Sequence, residues 1–172
     1  MNNHSKSQDR FFPTIDLGDY ILREQTIEDA GAFLEYYSDP IVSQYIVSFI
    51  PGNIDEARSE IRYWANVFNY NDGIYFAIAR KSDNKMIGSV GVSSANRNHN
   101  RIEASYDLAK EYWGQGIMTK ALKEVLKYCF EEMKFNRIEA FAIAENVGSV
   151  KVLEKCGFTF EGNLRQHRLH KG

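Results

Sequence analysis

The sequence predicts a single α/β (α+β) domain in which a mixed, mainly antiparallel sheet has helices on both faces. Three apolar or alternating segments in the middle of the chain are separated only by short polar turns, which is typical of an antiparallel meander. The last of these segments is joined to a later apolar one through a long amphipathic stretch. Such a strand–helix–strand crossover makes its two strands parallel. The 172 residues are enough for one domain with a substantial core.

The first 70 residues are predicted to contain a tail, one strand and two helices. Thr26 is a good N-cap followed by acidic residues, and Asp39-Pro40 ends a helix because proline disfavours helical geometry in the residue before it. The second helix has an aromatic stripe, which is more typical of a core than of a ligand site. A polar tail at residues 1–12 lies outside the predicted domain, which comprises residues 13–172. The domain begins with a strand from Asp19 to Gln25, a helix from Thr26 to Asp39, a short helix or substrate-facing loop at 41–50, and a helix from Asp55 to Tyr70.

The next part of the chain predicts the meander and the crossover. Ile74 to Arg80 is apolar on both faces and should be central in the sheet. Met86 to Val92 returns beside it, and Ile102 to Leu108 alternates with the period of two of a half-buried strand. An amphipathic helix from Ile117 to Met133 then leads to a strand from Arg137 to Ala144, which should run parallel to the third strand.

The C-terminal part predicts a short helix and the start of another strand. Asn146 is a good N-cap, and Cys156-Gly157 places a glycine where helices commonly end in a left-handed conformation. Phe158 to Phe160 should begin the next strand.

A glycine-rich turn, Trp113 to Thr119, joins the third strand of the meander to the amphipathic helix. Such a turn leaves backbone N–H groups unpaired at the positive end of the helix macrodipole, which makes an anion site, most plausibly for phosphate. The alternative is that the two glycines only make a tight connection. The turn is neither a P-loop nor a dinucleotide-binding fingerprint, because it lacks the residues that define them.

Charge and composition exclude several classes of protein. The net charge of −2 and the pI near 6.1 argue against nucleic-acid binding, and no apolar run is long enough for a bilayer. Met1 to Arg10 has no apolar signal core, so a cytoplasmic location is expected. Cys129 and Cys156 do not form a C-x-x-C motif and should be reduced. His167 and His170 are too few ligands for a metal site, so none is predicted.

The two parallel strands flank the helix that follows the glycine turn. A ligand with its phosphates at Gly114 to Thr119 could therefore extend between these strands. This arrangement favours a long phosphorylated cofactor, such as coenzyme A, over a nucleoside triphosphate. A doubly wound nucleotide fold is disfavoured because it would need repeated crossovers.

The order of elements and five local sequences resemble the GNAT acetyltransferases, and more narrowly the ribosomal-protein N-terminal alanine acetyltransferase branch. The resemblance covers about residues 18 to 170. The matching sequences are Ala104-Ser105-Tyr106-Asp107-Leu108, Glu111-Tyr112-Trp113-Gly114-Gln115-Gly116-Ile117-Met118-Thr119-Lys120-Ala121-Leu122, Asn146-Val147-Gly148-Ser149, Glu154-Lys155-Cys156-Gly157-Phe158 and Glu161-Gly162.

The resemblance implies a binding site for acetyl-CoA. The family's glycine turn binds the pyrophosphate, and the position of Asn146 contacts the pantetheine arm or the substrate. Trp113 and Met118 depart from the general family pattern, but both are usual in the narrower branch. The cofactor-binding residues expected from the resemblance are Leu108, Ala109, Trp113, Gly114, Gln115, Gly116, Ile117, Met118, Thr119 and Asn146.

The implied reaction is direct transfer of acetyl from the thioester to an amine. Glu103 is the first candidate for the base, although it could equally be a solvated strand charge. A backbone N–H near Leu108 or Ala109 would meet the oxyanion. The tyrosine acid of many family members is replaced by Leu153. Ser149 matches the serine that takes this role in the narrower branch, or else is only a polar residue under the helix cap.

The expected function is therefore that of an acetyl-CoA-dependent N-acetyltransferase. By resemblance alone, the favoured acceptor is a protein N-terminal α-amine of the ribosomal-protein-alanine type. The alternatives are a small-amine acetyltransferase, acting on a polyamine, amino acid or antibiotic, and a non-catalytic acyl-CoA-binding module. The family usually has one more strand after Gly172, so a final strand is expected to be missing, which leaves monomer and homodimer open.

Overall fold

A six-stranded sheet in sequential order forms the middle of the structure, a computed structural model that describes residues 11–167. Every neighbouring pair of strands is antiparallel except the last, which is parallel. This arrangement confirms the predicted fold class and the meander. The strands are β1 (Ile15–Asp16), β2 (Tyr20–Glu24), β3 (Ile74–Arg80), β4 (Met86–Asn96), β5 (Arg101–Leu108) and β6 (Arg137–Glu139).

Five α-helices connect and cover these strands within residues 11–167. A 3-10 turn at Ile27–Asp29 precedes the first of them, so the helix expected from Thr26 begins slightly later. Asn53 caps the third helix by accepting hydrogen bonds from the amides of Asp55 and Glu56, as its residue type favours. The helices are α1 (Ala30–Tyr37), α2 (Pro40–Ser43), α3 (Ile54–Asn69), α4 (Ile117–Glu131) and α5 (Val147–Lys155).

The two faces of the sheet bury different helices. On one face α4 packs on the middle strands through side chains that include Leu122 and Val125, both without solvent exposure. On the other face α1 and α3 form a second apolar cluster around Ala57 and Ile61. The segment after α1 begins with α2 and continues without regular structure to residue 53, so both alternatives for residues 41–50 apply in part.

Near the C-terminus, one strand prediction is right in its start and its parallel pairing but wrong in its end, and a second is wrong. The strand expected from Arg137 to Ala144 ends at Glu139, because β6 pairs with β5 only from Arg101↔Arg137 to Glu103↔Glu139 and has no ladder beyond that point. No strand forms from Phe158 to Phe160, where no neighbouring strand offers a ladder and Phe160 is 84% exposed. Strands need such partners because their backbone groups are paired between segments, not within one.

The N-terminal boundary also differs from the expectation. The Phe12 ring, which the sequence places in the tail, lies 5.1 Å from the Phe68 ring and 5.0 Å from the Phe76 ring, each in an edge-on arrangement. The short strand β1 follows it directly. The packed part of the chain therefore begins by residue 12, whereas residues 1–10 of the predicted tail lie outside the described residues.

Candidate active site

The gap between β5 and β6 is the central feature of the candidate site. The two strands are hydrogen-bonded as far as Glu103 and Glu139 and then separate. From Ala104 to Leu108, β5 is paired with β4 on one side only. The helices that follow the two strands, α4 and α5, begin beside the open end. The fold thus provides the slot between parallel strands in which an extended ligand was expected.

The glycine turn lies at the open end of this gap. Gly114 has a φ of +73° and Gly116 a φ of +77°, a left-handed conformation that other residues adopt only with strain. A Cβ built on either glycine would meet no atom within 4 Å. The glycines are therefore required by the backbone conformation, and the space above the turn is open.

The backbone amides of this turn are available to a ligand. Within residues 11–167, no hydrogen bond joins an amide of residues 114–119 to a protein acceptor. The first bond of α4 runs from the Lys120 amide to the Gly116 carbonyl, and no side chain caps this helix. Several N–H groups and the positive end of a 15-residue helix therefore meet in open space, as an anion site requires.

The side chains of the turn hold its shape and do not fill it. The Trp113 indole donates to the Leu108 carbonyl at 2.7 Å, and the side-chain amide of Gln115 donates through Nε2 to the Glu111 carbonyl at 2.8 Å. Both bonds fasten the turn to the preceding strand and 3-10 segment. Ile117 and Met118 are buried in the core, so only their backbone faces a ligand.

The end of β5 presents one amide to the gap. The Ala109 N–H already donates to the Ile87 carbonyl of β4 at 2.8 Å, which removes it from the candidate donors. Hydrogen bonding alternates along an antiparallel strand, so the groups of Leu108 point away from β4. The bond from Trp113 to the Leu108 carbonyl agrees with this direction. Of the two predicted oxyanion donors, Leu108 is the one that faces the gap.

The start of α5 forms the other wall of the gap. Asn146 caps the helix by accepting from the Ser149 amide at 3.1 Å, which leaves the Asn146 amide group for other partners. The Ser149 hydroxyl lies 2.9 Å from the Tyr106 hydroxyl, which also donates to the Ser149 carbonyl at 3.1 Å. Burial raises the pKa of Tyr106 to about 12, so its phenol keeps its proton at neutral pH.

Tyr106 is a residue that the sequence reasoning missed. It belongs to a matching motif, and it alternates with the apolar residues Ala104 and Leu108 like an ordinary strand residue. Its partner Ser149 is 43 residues away, so nothing in the local sequence joins the two. Only the tertiary arrangement, in which the start of α5 lies beside β5 at the gap, brings the two hydroxyl groups together.

Glu103 is not brought to the same place. It lies at the closed end of the gap, in register with Glu139. Leu108 is five positions further along the chain, which corresponds to roughly 17 Å along an extended strand. A proton could pass between these positions only through intermediate groups such as water.

One carboxylate at the open end of β5 is that of Asp107, which the sequence reasoning also missed. It accepts hydrogen bonds from the Tyr36 hydroxyl at 2.7 Å, the Ser89 hydroxyl at 2.7 Å and the Ser89 amide at 3.1 Å. Burial raises the pKa of Asp107 to about 6, although these bonds oppose the shift. A regular alternation of polar residues along β5 gave no signal for this.

Other chemistries have less support in the structure. Burial raises the pKa of Cys129 to about 12 and also raises the pKa of Cys156, the opposite of what a nucleophilic thiol needs. In residues 11–167, no three His, Cys, Asp or Glu side chains are grouped so that they could hold a metal ion, and His170 lies outside this range. None of the helices in the described part of the chain is long and apolar enough to cross a membrane.

Comparison with known proteins places this geometry in context. Residues 19–159 match the family model described as acetyltransferase (GNAT) domain. The uncharacterized N-acetyltransferase p20 of Bacillus licheniformis is 32% identical over 151 residues, which cover 88% of this chain and 85% of that protein.

Solved structures share the fold at lower identity. The ribosomal-protein-S5-alanine acetyltransferase of Vibrio fischeri is 24% identical, with a TM-score of 0.78 over 87% of this chain and 85% of that one. RimJ of Mycobacterium smegmatis, solved in complex with CoA-disulfide, is 23% identical, with a TM-score of 0.78 over 89% of this chain and 76% of that one.

Proposed function

Because this chain belongs to the GNAT family and is an acetyltransferase, we propose that it transfers acetyl from acetyl-CoA to a primary amine by direct attack. The observation that carries this proposal is the open glycine turn, whose amides have no protein acceptor within the described residues. These amides would bind the pyrophosphate, with Gly114 to Thr119 contributing through their backbone. The pantetheine arm would then lie in the gap between β5 and β6.

The thioester carbonyl would accept a hydrogen bond from the Leu108 amide. Negative charge develops on this oxygen when the amine attacks, and a fixed N–H group stabilises that charge without reorganisation. Trp113 supports this role because its indole holds the Leu108 carbonyl and so fixes the orientation of the same residue. Asn146 would contact the pantetheine arm through its side-chain NH2 group, because capping uses only the side-chain oxygen.

The leaving thiolate would take a proton from the Ser149 hydroxyl. Tyr106, 2.9 Å away, would replace that proton, and its raised pKa keeps the phenol protonated for this purpose. The pair would thus act where many family members use the tyrosine that is Leu153 here. For the proton on the amine, the candidate from the sequence is Glu103, which precedes the glycine turn on β5 and would have to act through water.

The favoured acceptor is a protein N-terminal α-amine of the ribosomal-protein-alanine type. An α-amine with a pKa near 8 is partly neutral at physiological pH, whereas a lysine near 10.4 is almost fully charged. The shared fold with the ribosomal-protein-S5-alanine acetyltransferase supports the same class. Measuring CoA release with N-terminal peptides, polyamines and amino acids separates this acceptor from the small amines. Release that stays at background with every amine, while acetyl-CoA still binds, would indicate a binding module.

The cofactor site is tested by thermal unfolding with and without acetyl-CoA. We expect acetyl-CoA at about 100 times its Kd to stabilise the folded wild type by about 2.7 kcal/mol, which raises its melting temperature. Gly116→Glu should abolish this shift, because it places a side chain and a negative charge in the phosphate site.

Gly31→Glu is the matched control for this experiment. Gly31 is an exposed position of α1 where a Cβ meets nothing within 4 Å, so the same change of charge should leave the shift intact. A wild-type melting temperature that does not change when acetyl-CoA is added would overturn the proposed function.

A further inference from the structure

Asp107 occupies a position where a carboxylate needs an explanation. Its residue is partly buried, and the hydroxyl groups around its carboxylate belong to Tyr36 and Ser89, which are 7% and 3% exposed. A buried carboxylate is costly unless it is hydrogen-bonded, and stability alone would favour an apolar residue of the same size. The presence of a carboxylate at this position therefore indicates a chemical role at this end of β5.

The groups that face Asp107 come from three elements. Tyr36 and Tyr37 face it from α1, Tyr75 from β3 and Ser89 from β4. Burial raises the pKa of all three tyrosines, so they stay neutral while the carboxylate titrates. Asp107 is then the group of this cluster that changes its charge near neutral pH.

Tyr36 connects this carboxylate to a cavity. The cavity has a volume of about 180 Å³ and is lined by Tyr36, Ile87, Ala109 and Glu111, among others. Ala109 directly follows Leu108, so the cavity adjoins the place proposed for the thioester. Its volume corresponds to about six water molecules and suits the amine end of an acceptor, not a whole peptide.

The cavity also lies on the side that the cofactor leaves free. The glycine turn begins α4, so the phosphates of acetyl-CoA would lie on the face of the sheet that α4 covers. The Tyr36 cavity opens on the opposite face, beside α1. An acceptor amine that approaches from there meets Tyr36 before it reaches the acetyl group.

We propose that Tyr36 and Asp107 form the proton path of the acceptor amine. Tyr36 is the catalytic residue, because it touches the substrate, and Asp107 is a positioning residue that acts through it. This inference rests on the proposed function and assigns the role of base to Asp107 in place of Glu103.

The proton balance is simple. The bound ammonium gives one proton to the Tyr36 oxygen while Tyr36 passes its own to Asp107. The neutral amine then attacks the thioester carbonyl, a C–N bond forms and the C–S bond breaks. The second proton leaves the nitrogen to water, and water returns one to Tyr106 after Tyr106 has reprotonated Ser149, which protonated the leaving thiolate. After the product leaves, Asp107 returns its proton through Tyr36 to water.

The test is the pH profile of kcat/KM, measured by CoA release with the best amine acceptor found. In the wild type we expect an acidic limb with an apparent pKa near 6, the value expected for Asp107. Asp107→Asn should remove this limb and lower kcat by about 100-fold, a typical loss for one proton-transfer group. Tyr36→Phe should lower kcat similarly, with the acetyl-CoA melting shift retained in both variants.

Ser89→Ala distinguishes a proton path from a structural role. It removes a hydrogen bond that stabilises the ionised carboxylate but keeps the contact between Tyr36 and Asp107. The acidic limb should therefore move to higher pH by about one unit, with the plateau rate kept. This variant also decides the question if Asp107→Asn does not fold.

Three results would overturn the inference. They are an unchanged limb in Asp107→Asn, an unmoved limb in Ser89→Ala, and loss of the limb in Glu103→Gln. Failure of the proposed function would look different, because then the wild type itself would release no CoA above background and show no acetyl-CoA melting shift.

Discussion

The two faces of β5 are built in different ways. Towards α4 most contacts are apolar, and the polar groups are the backbone amides of one short turn and the hydroxyl pair of Tyr106 and Ser149. Towards α1 and α3, buried tyrosines and a serine surround one carboxylate. The first face can hold a ligand wherever the backbone is exposed. The second face can adjust the pKa of Asp107, because burial raises this pKa and the hydroxyl groups lower it.

The difference teaches how each kind of site is encoded. The glycine turn is local, since Gly114 and Gly116 create it within a few residues. The Tyr36–Asp107 contact joins residues that are 71 positions apart and depends on the docking of α1 on the sheet. Variants on either face should therefore fail differently, which the following predictions use.

The largest effect on stability should come from the apolar face. Leu122 is fully buried in α4, so Leu122→Ala should lower the free energy of unfolding by about 2–5 kcal/mol. The loss should be the same across about pH 5 to 8, because it arises from a cavity and not from a charge. Urea unfolding at several pH values measures it, and a loss that varies strongly with pH would contradict the separation of the two faces.

A smaller and pH-dependent effect should come from the polar face. The folded-state pKa of Asp107 is raised from 3.8 to about 6, so its protonated form stabilises the fold below about pH 4, and this contribution is lost as the pH rises through about 6. Relative to Asp107→Asn, the wild type should lose up to about 3 kcal/mol over this range, at 1.36 kcal/mol for each pKa unit.

Urea unfolding of both proteins from about pH 4 to 7 gives this difference directly. A difference between wild type and variant that does not change with pH would show that the carboxylate is not desolvated. The comparison between the two faces would then lose its physical basis.

The smallest effect should separate the two roles of Asn146. Serine is also a good N-cap, so Asn146→Ser should keep the free energy of unfolding within a few tenths of a kcal/mol, whereas Asn146→Ala should lower it by about 1 kcal/mol. If the Asn146 amide donates to the pantetheine arm, both variants should raise the Kd for acetyl-CoA by about three- to tenfold. Titration calorimetry measures this change.

Asn53 provides the control for Asn146. It caps α3, away from the glycine turn, so Asn53→Ser should leave the Kd for acetyl-CoA unchanged. A Kd that is also unchanged in Asn146→Ser would limit Asn146 to capping.

Much of the fold could be predicted because its signals are periodic or local. The alternation from Ile102 to Leu108 predicts β5, and the predicted cap Asn146 marks a helix start by its own hydrogen bond. The end of β6 could not be predicted. Residues after Glu139 resemble a strand, but β5 no longer lies within reach to pair with them. The predicted roles of Glu103, Ser149 and the cofactor-binding residues remain predictions.

What the sequence determined by itself is the order of elements and the open glycine turn. Both depend on interactions between residues a few positions apart, which composition and spacing record directly. Tertiary structure alone decided that Tyr106 meets Ser149 at the gap and that Tyr36 meets Asp107 on the opposite face, beside α1. Those contacts exist because β5 and β6 diverge and α1 docks on the opposite face. The pKa of Asp107 follows from that enclosure, since the same carboxylate in an isolated strand would be solvated and would titrate normally.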